Sequence, residues 1–138
     1  MIYHHNRIKL KPDVSAEDVE IALDSLRNQG RVIDAVKSFV VGRDVGDEYQ
    51  WGATFVLEDL DGYWEYLMHP AHLNTDRVGL PLVEEFVSYD TTDDPAPDIA
   101  AKIAELHARR YRENPEVAAL VADLPTYTGS AAPEDAGA

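Results

Sequence analysis

Cysteine is absent from the 138 residues, which removes thiolate nucleophiles, iron–sulfur clusters, Cys-based zinc sites and disulfides from the available chemistry. Basic residues are scarce. Lys and Arg number 12 against 26 Asp and Glu, a formal charge of −14, so phosphate backbones and anionic membrane surfaces are poor partners. No apolar run approaches the roughly 20 residues of a membrane helix, and the first residues contain no long apolar h-region. Neither nucleic acid nor membrane is expected as a partner, and a cytoplasmic location is expected. What chemistry remains must come from His, carboxylate, Tyr or a bound cofactor. With 45% hydrophobic residues the chain can bury one core, but it is too short for two full domains.

What is present is a concentration of proton-moving groups. His69-Pro70-Ala71-His72 follows Tyr63-Trp64-Glu65-Tyr66 and sets two imidazoles about one helical turn apart beside a phenol. Near the start, Ile2, His4, Asn6, Ile8 and Leu10 alternate with Tyr3, His5, Arg7, Lys9 and Lys11, the period-2 pattern of a half-buried strand. His4 and Asn6 are thereby predicted on the core face, and His5 and Arg7 on the other, toward the first helix or solvent.

Ser15 and Asp18 form a capping arrangement ahead of an amphipathic helix with Val19, Ala22, Leu23 and Leu26 on one stripe, expected to end at Gly30. Val36 to Val41 and Trp51 to Leu57 read as two strands of a hairpin. Asp59 or Asp61 caps a short helix, Pro70 opens the next, and Glu85 to Tyr89 reads as a fourth strand with Phe86, Ser88 and Asp90 on one side. The order β-α-β-β-α-β predicts an α+β, ferredoxin-like domain with one antiparallel sheet and helices on a single face. The other face is expected to be apolar enough to require a second copy, hence a homodimer. Residues 1–91 form this domain. Beyond the linker Thr91 to Pro97, residues 92–125 read as a helical C-terminal extension, and residues 126–138, rich in small residues, as a disordered tail. The run Arg109 to Arg112 has a solvated charged face as its default reading.

The strand from His4 to Lys11, the run Val36-Lys37-Ser38-Phe39-Val40-Val41-Gly42-Arg43-Asp44-Val45, and Tyr66-Leu67-Met68-His69-Pro70-Ala71-His72 followed by the strand to Tyr89-Asp90 resemble the stress-responsive α/β-barrel (Dabb) family. The resemblance implies a dimeric ferredoxin-like α/β barrel, two sheets meeting face to face, with a pocket in each protomer. Family members that close a ring by aldol chemistry use a first-strand His and the second His of the His-Pro-Ala-His motif, positions matched here by His4 and His72. Their active-site Tyr is matched by Tyr66 and their last-strand carboxylate by Asp90. Leu26 stands where they carry a second pocket Tyr, and Asn6 and Ser88 stand where they are apolar, which implies a more polar pocket.

The catalytic set expected from the resemblance is therefore His72, His4, Tyr66 and Asp90. His72 is oriented by Asp90 as a fixed-tautomer base, and Tyr66 donates to a developing enolate oxygen. Asn6, Ile8, Ala53, Phe55, Phe86 and Ser88 are expected to contact the substrate, and His69 to be structural at a helix junction. No complete metal-ligand motif occurs, and neither a metal nor a cofactor is expected. The expected function is a small-molecule enzyme, a cyclase, isomerase or lyase acting by acid/base chemistry on a carbonyl-bearing metabolite. The alternative is a non-catalytic dimer that binds a ligand or serves as a stress protein.

Overall fold

Burial alternates along β1 (Ile2–Leu10), with Ile2, His4, Asn6 and Ile8 inside, and this strand lies at the centre of the sheet. In the computed structural model, which describes residues 1–133, β1 is followed by α1 (Ala16–Val32), β2 (Val36–Arg43), β3 (Trp51–Leu57), α2 (Leu60–Met68), α3 (Pro70–Gly79) and, after a 3₁₀ turn at Leu80–Leu82, β4 (Val83–Thr92). The extension adds α4 (Ile99–Glu113), α5 (Pro115–Ala122) and β5 (Thr126–Gly129). The sheet order is β2-β3-β1-β4-β5. β1 pairs antiparallel with both β3 and β4, and the register sets His4 directly opposite Asp90. The fold is ferredoxin-like α+β, as the element order implies.

Three expectations are corrected. The sheet is mixed rather than wholly antiparallel, because β5 pairs in parallel with β4. Residues 126–133 are accordingly a strand and turn, not a loose tail; residues 134–138 lie outside the described residues. Tyr127, 5% exposed, anchors β5 in a small second core with Leu80, Val117, Val121 and Ala131. Gly129 at φ +106° then turns the chain so tightly against β4 that a Cβ there would sit 1.8 Å from the Ser88 carbonyl oxygen. Helix α1 also runs past Gly30 to Val32. That glycine marks close approach rather than termination, since a Cβ at 30 would lie 2.2 Å from the Phe39 ring.

The caps follow the sequence. Ser15 Oγ accepts from Asp18 N at 3.1 Å, Asp59 from Gly62 N at 2.8 Å, and His69 Nδ1 from Ala71 N at 3.0 Å, with Pro70 in the first turn of α3. The helices cover the face carrying Ile2, Ala53, Phe55 and Leu57, and the main core joins these to Leu23, Leu26, Tyr63, Tyr66, Leu67 and Ile103. The opposite face is less apolar than expected. Tyr3, Val40 and Tyr89 are exposed there, but His5 stacks on Tyr89 at 4.7 Å and Arg7 is held by Asp44 through two 2.9 Å bonds, so neither meets α1. No helix among the described residues is long and apolar enough to cross a membrane.

Candidate active site

Between the sheet and the helices lies a cavity of about 80 Å³, lined by His4, Asn6, Ile8 and Leu10 of β1 in sequence. At about 3.3 Å per residue these positions span roughly 20 Å. The free volume holds on the order of six water-sized positions. Helices α1 and α3 run antiparallel, with Ala22 against Gly79 and Ser25 Oγ bonded to Thr75 Oγ1 at 2.8 Å. The two ends of the cavity therefore differ in character. Leu10, Val19, Leu23 and Val83 make one end apolar; His4, Tyr66, His72, Asp76, His107 and Arg110 make the other polar.

At the polar end Asp90 organises the first cluster. His4 Nδ1 lies 2.9 Å and the Tyr63 hydroxyl 2.8 Å from its Oδ1, while Ser130 Oγ donates to Oδ2 at 2.7 Å. Burial alone would raise the Asp90 carboxyl, but the hydrogen bond from His4, with Ser130 and Tyr63 also donating, holds it down to about 2. An ionised carboxylate only accepts, so His4 donates to it from Nδ1, and in the neutral imidazole the lone pair then lies on Nε2. Tyr63 has then used its single proton on Asp90, and its oxygen accepts from His107 Nε2–H at 2.8 Å. Burial pushes His107 down to about 3, so it stays neutral.

The second cluster surrounds His72. Its Nδ1 donates to the Tyr66 carbonyl at 3.3 Å, and its ring stacks on Tyr66 with centroids 4.5 Å apart. Nε2 faces Asp76 Oδ1 at 3.8 Å, too far for a hydrogen bond, while Asp76 Oδ2 accepts from Arg110 Nη2 at 2.5 Å. Burial, then the charge of Arg110, pushes His72 well below its ordinary range. Burial likewise pushes the Tyr66 phenol up and keeps it protonated. Tyr66 lies between the two imidazoles, 5.7 Å from the His4 ring in edge contact.

Of the residues singled out in the sequence, His4, Tyr66, His72, Asn6, Ile8, Phe86 and Ser88 line this one cavity, and Ser88 Oγ donates to Asn6 Oδ1 at 2.5 Å. The expected pairing of His72 with Asp90 is corrected: Asp90 faces its cross-strand neighbour His4, and the carboxylate beside His72 is Asp76, one helical turn on. Ala53 and Phe55 do not line the cavity but pack in the main core, Phe55 against Tyr66 at 5.4 Å. The solvated reading of the Arg109 to Arg112 run is corrected in part, because Arg110 is 5% exposed and reaches Asp76.

Sequence reasoning missed Tyr63 as a polar partner, and with it Asp76, His107, Arg110 and Ser130. The signal was present for some of these. His107 and Arg110 continue the apolar stripe of Ile103 at i+4 and i+7, and Asp76 stands at i+4 from His72. The atoms His4 Nδ1, Asp90 Oδ1 and His107 Nε2 also lie within 4.8 Å of one another, a set able to hold a metal ion, although Tyr63 already satisfies it by hydrogen bonds.

Residues 2–93 match the stress responsive A/B barrel domain, Dabb. No curated protein matches the chain. Among solved structures it is similar to a Dabb family protein with a ferredoxin-like fold from Mesorhizobium loti, with 24% identity, 67% of this chain and 96% of that chain covered, and a TM-score of 0.59. A dimeric ferredoxin-like protein of unknown function from Thermobifida fusca is 22% identical over 66% of this chain and 89% of its own, with a TM-score of 0.60. The hydroxynitrile lyase from Passiflora edulis is 14% identical over 69% of this chain and 94% of its own, with a TM-score of 0.61. The extension beyond residue 93 lies outside the family match.

Proposed function

The chain belongs to the stress responsive A/B barrel domain family, and from that membership we propose that it is a small-molecule enzyme that moves a proton next to a carbonyl group without a redox cofactor. The observation that carries this reading is the 2.9 Å contact of Asp90 with His4 Nδ1, which leaves the His4 Nε2 lone pair on a ring that lines the same cavity as Tyr66 and His72. His4 acts as the base, Asp90 fixes its tautomer, and the protonated Tyr66 donates to the oxygen on which charge develops. Isomerisation, β-elimination by a lyase and aldol-type ring closure all begin with such a step, and the Passiflora edulis neighbour of the same fold is named a lyase. We further propose a homodimer formed through the open sheet face and closing into a barrel, in line with the dimeric Thermobifida fusca neighbour.

The test is proton exchange in deuterium oxide. The protein is incubated with simple ketones, aldehydes and β-keto esters, and loss of the α-proton is followed by NMR. The wild type should accelerate exchange, and His4→Ala and Asp90→Asn should lose it by roughly 10²–10⁴-fold. Full exchange by His4→Ala overturns the proposal. One observation favours a non-catalytic, ligand-binding dimer instead, namely that the bonds around Tyr63 leave no member of that cluster unsatisfied. In that case His4→Ala lowers thermal stability and the wild type accelerates no exchange.

A further inference from the structure

We propose that Arg110, carried by α4 outside the family match, is a positioning residue that draws Asp76 away from His72 and so keeps the His72 Nε2 lone pair free in the cavity. Side chains four apart on a helix ordinarily meet, and a His–Asp pair at that spacing would form a charge-assisted bond. Here they stop 3.8 Å apart, and the nearer Asp76 contact is the 2.5 Å bond from Arg110 to its other oxygen. Asp76 and Arg110 are both almost wholly buried, at 8% and 5% exposure, so each needs the other's charge. The groups facing His72 are Tyr66 from α2, His4 from β1, Asp76 from its own helix, and His107 and Arg110 from α4. Arg110 is the only fixed cation among them.

Without Arg110 the buried Asp76 carboxylate must take up a proton or pair with a protonated His72. In either case a proton comes to lie between Asp76 and Nε2, and the lone pair is consumed. The inference rests on the cavity being a proton-transfer site, as proposed above, but its test requires no turnover and fails or succeeds independently of that reading.

Full-length protein labelled with ¹⁵N-histidine is observed by imidazole NMR at neutral pH. The wild type should show His72 protonated on Nδ1 with Nε2 in the unprotonated range. Arg110→Gln should move Nε2 away from the free-lone-pair position, fully into the protonated range if the proton sits on His72 and part of the way if it sits on Asp76; Arg110→Lys should leave it as in the wild type, and adding Asp76→Asn to Arg110→Gln should return it to the unprotonated range. A protonated Nε2 in the wild type, or an unchanged His72 in folded Arg110→Gln, overturns the proposal. If Arg110→Gln alone does not fold, the double variant, which buries no unpaired charge, must fold and show a free Nε2; its failure also overturns the proposal.

Discussion

Asp90 receives donors from three separate stretches of chain, and this dictates how the protein responds to acid. Unfolded, His107 binds a proton near its ordinary 6.5; folded, burial delays that to about 3. The unfolded chain therefore gains protons first. The contribution of His107 is complete above pH 6.5 and declines as the pH falls toward 3, by about 2 kcal/mol at pH 5. His72, also held below its ordinary range by burial, adds in the same direction. Asp90 acts lower: its contribution is present above 3.8 and is lost as the pH falls through about 2. Calorimetry should show Tm falling between pH 7 and pH 5, with a shallower fall in His107→Gln; a Tm flat across that window contradicts the burial of neutral imidazole. At this scale the period of two put His4 on the core face, while Tyr66 and His72 were singled out by the family resemblance; all three line one cavity. The sequence did not reveal which carboxylate serves which imidazole. Asp76 stands at a local i+4 spacing from His72, but the pairing of Asp90 with His4 depends on strand register between residues 86 apart, and no local pattern encodes that register.

The β-α-β-β-α-β elements were legible because each has its own start signal, from Ser15 and Asp59 to Pro70. The last element was not. Thr126-Tyr127-Thr128 is a short β-prone run, but four residues form a strand only when an edge is available, and β4 provides one. Small residues that suggest disorder are here a requirement of close packing. Gly129→Ala should consequently dislodge β5, since the added carbon meets the Ser88 carbonyl and the positive φ disfavours any side chain. A loss of at least about 1 kcal/mol is expected in denaturant unfolding, accompanied by faster amide exchange at residues 126–129. Stability equal to wild type would show that β5 is dispensable.

For the molecule as a whole, one face of the sheet is covered by the protein's own helices, whereas the open face exposes Tyr3, Val40 and Tyr89 around a polar centre. The sequence foresaw a face awaiting a partner but overstated how apolar it is, because period-2 reasoning does not count the charged positions, such as Arg7 and Asp44, that neutralise one another there. If two copies meet on this face, Val40→Asp and Tyr89→Asp should shift sedimentation from dimer toward monomer while leaving the circular dichroism unchanged. A wild-type protein that is monomeric at micromolar concentration rules out the dimer.

The Ser130 bond to Asp90 ties the carboxylate that orients His4 to nearly the last described turn of the chain. During synthesis, then, His4 and Asp90 leave the ribosome before Ser130, and the carboxylate lacks one of its three donors until residue 130 has followed. A chain cut short before residue 130 has the histidine but not its complete setting, so any chemistry in this cavity awaits the turn that carries Ser130.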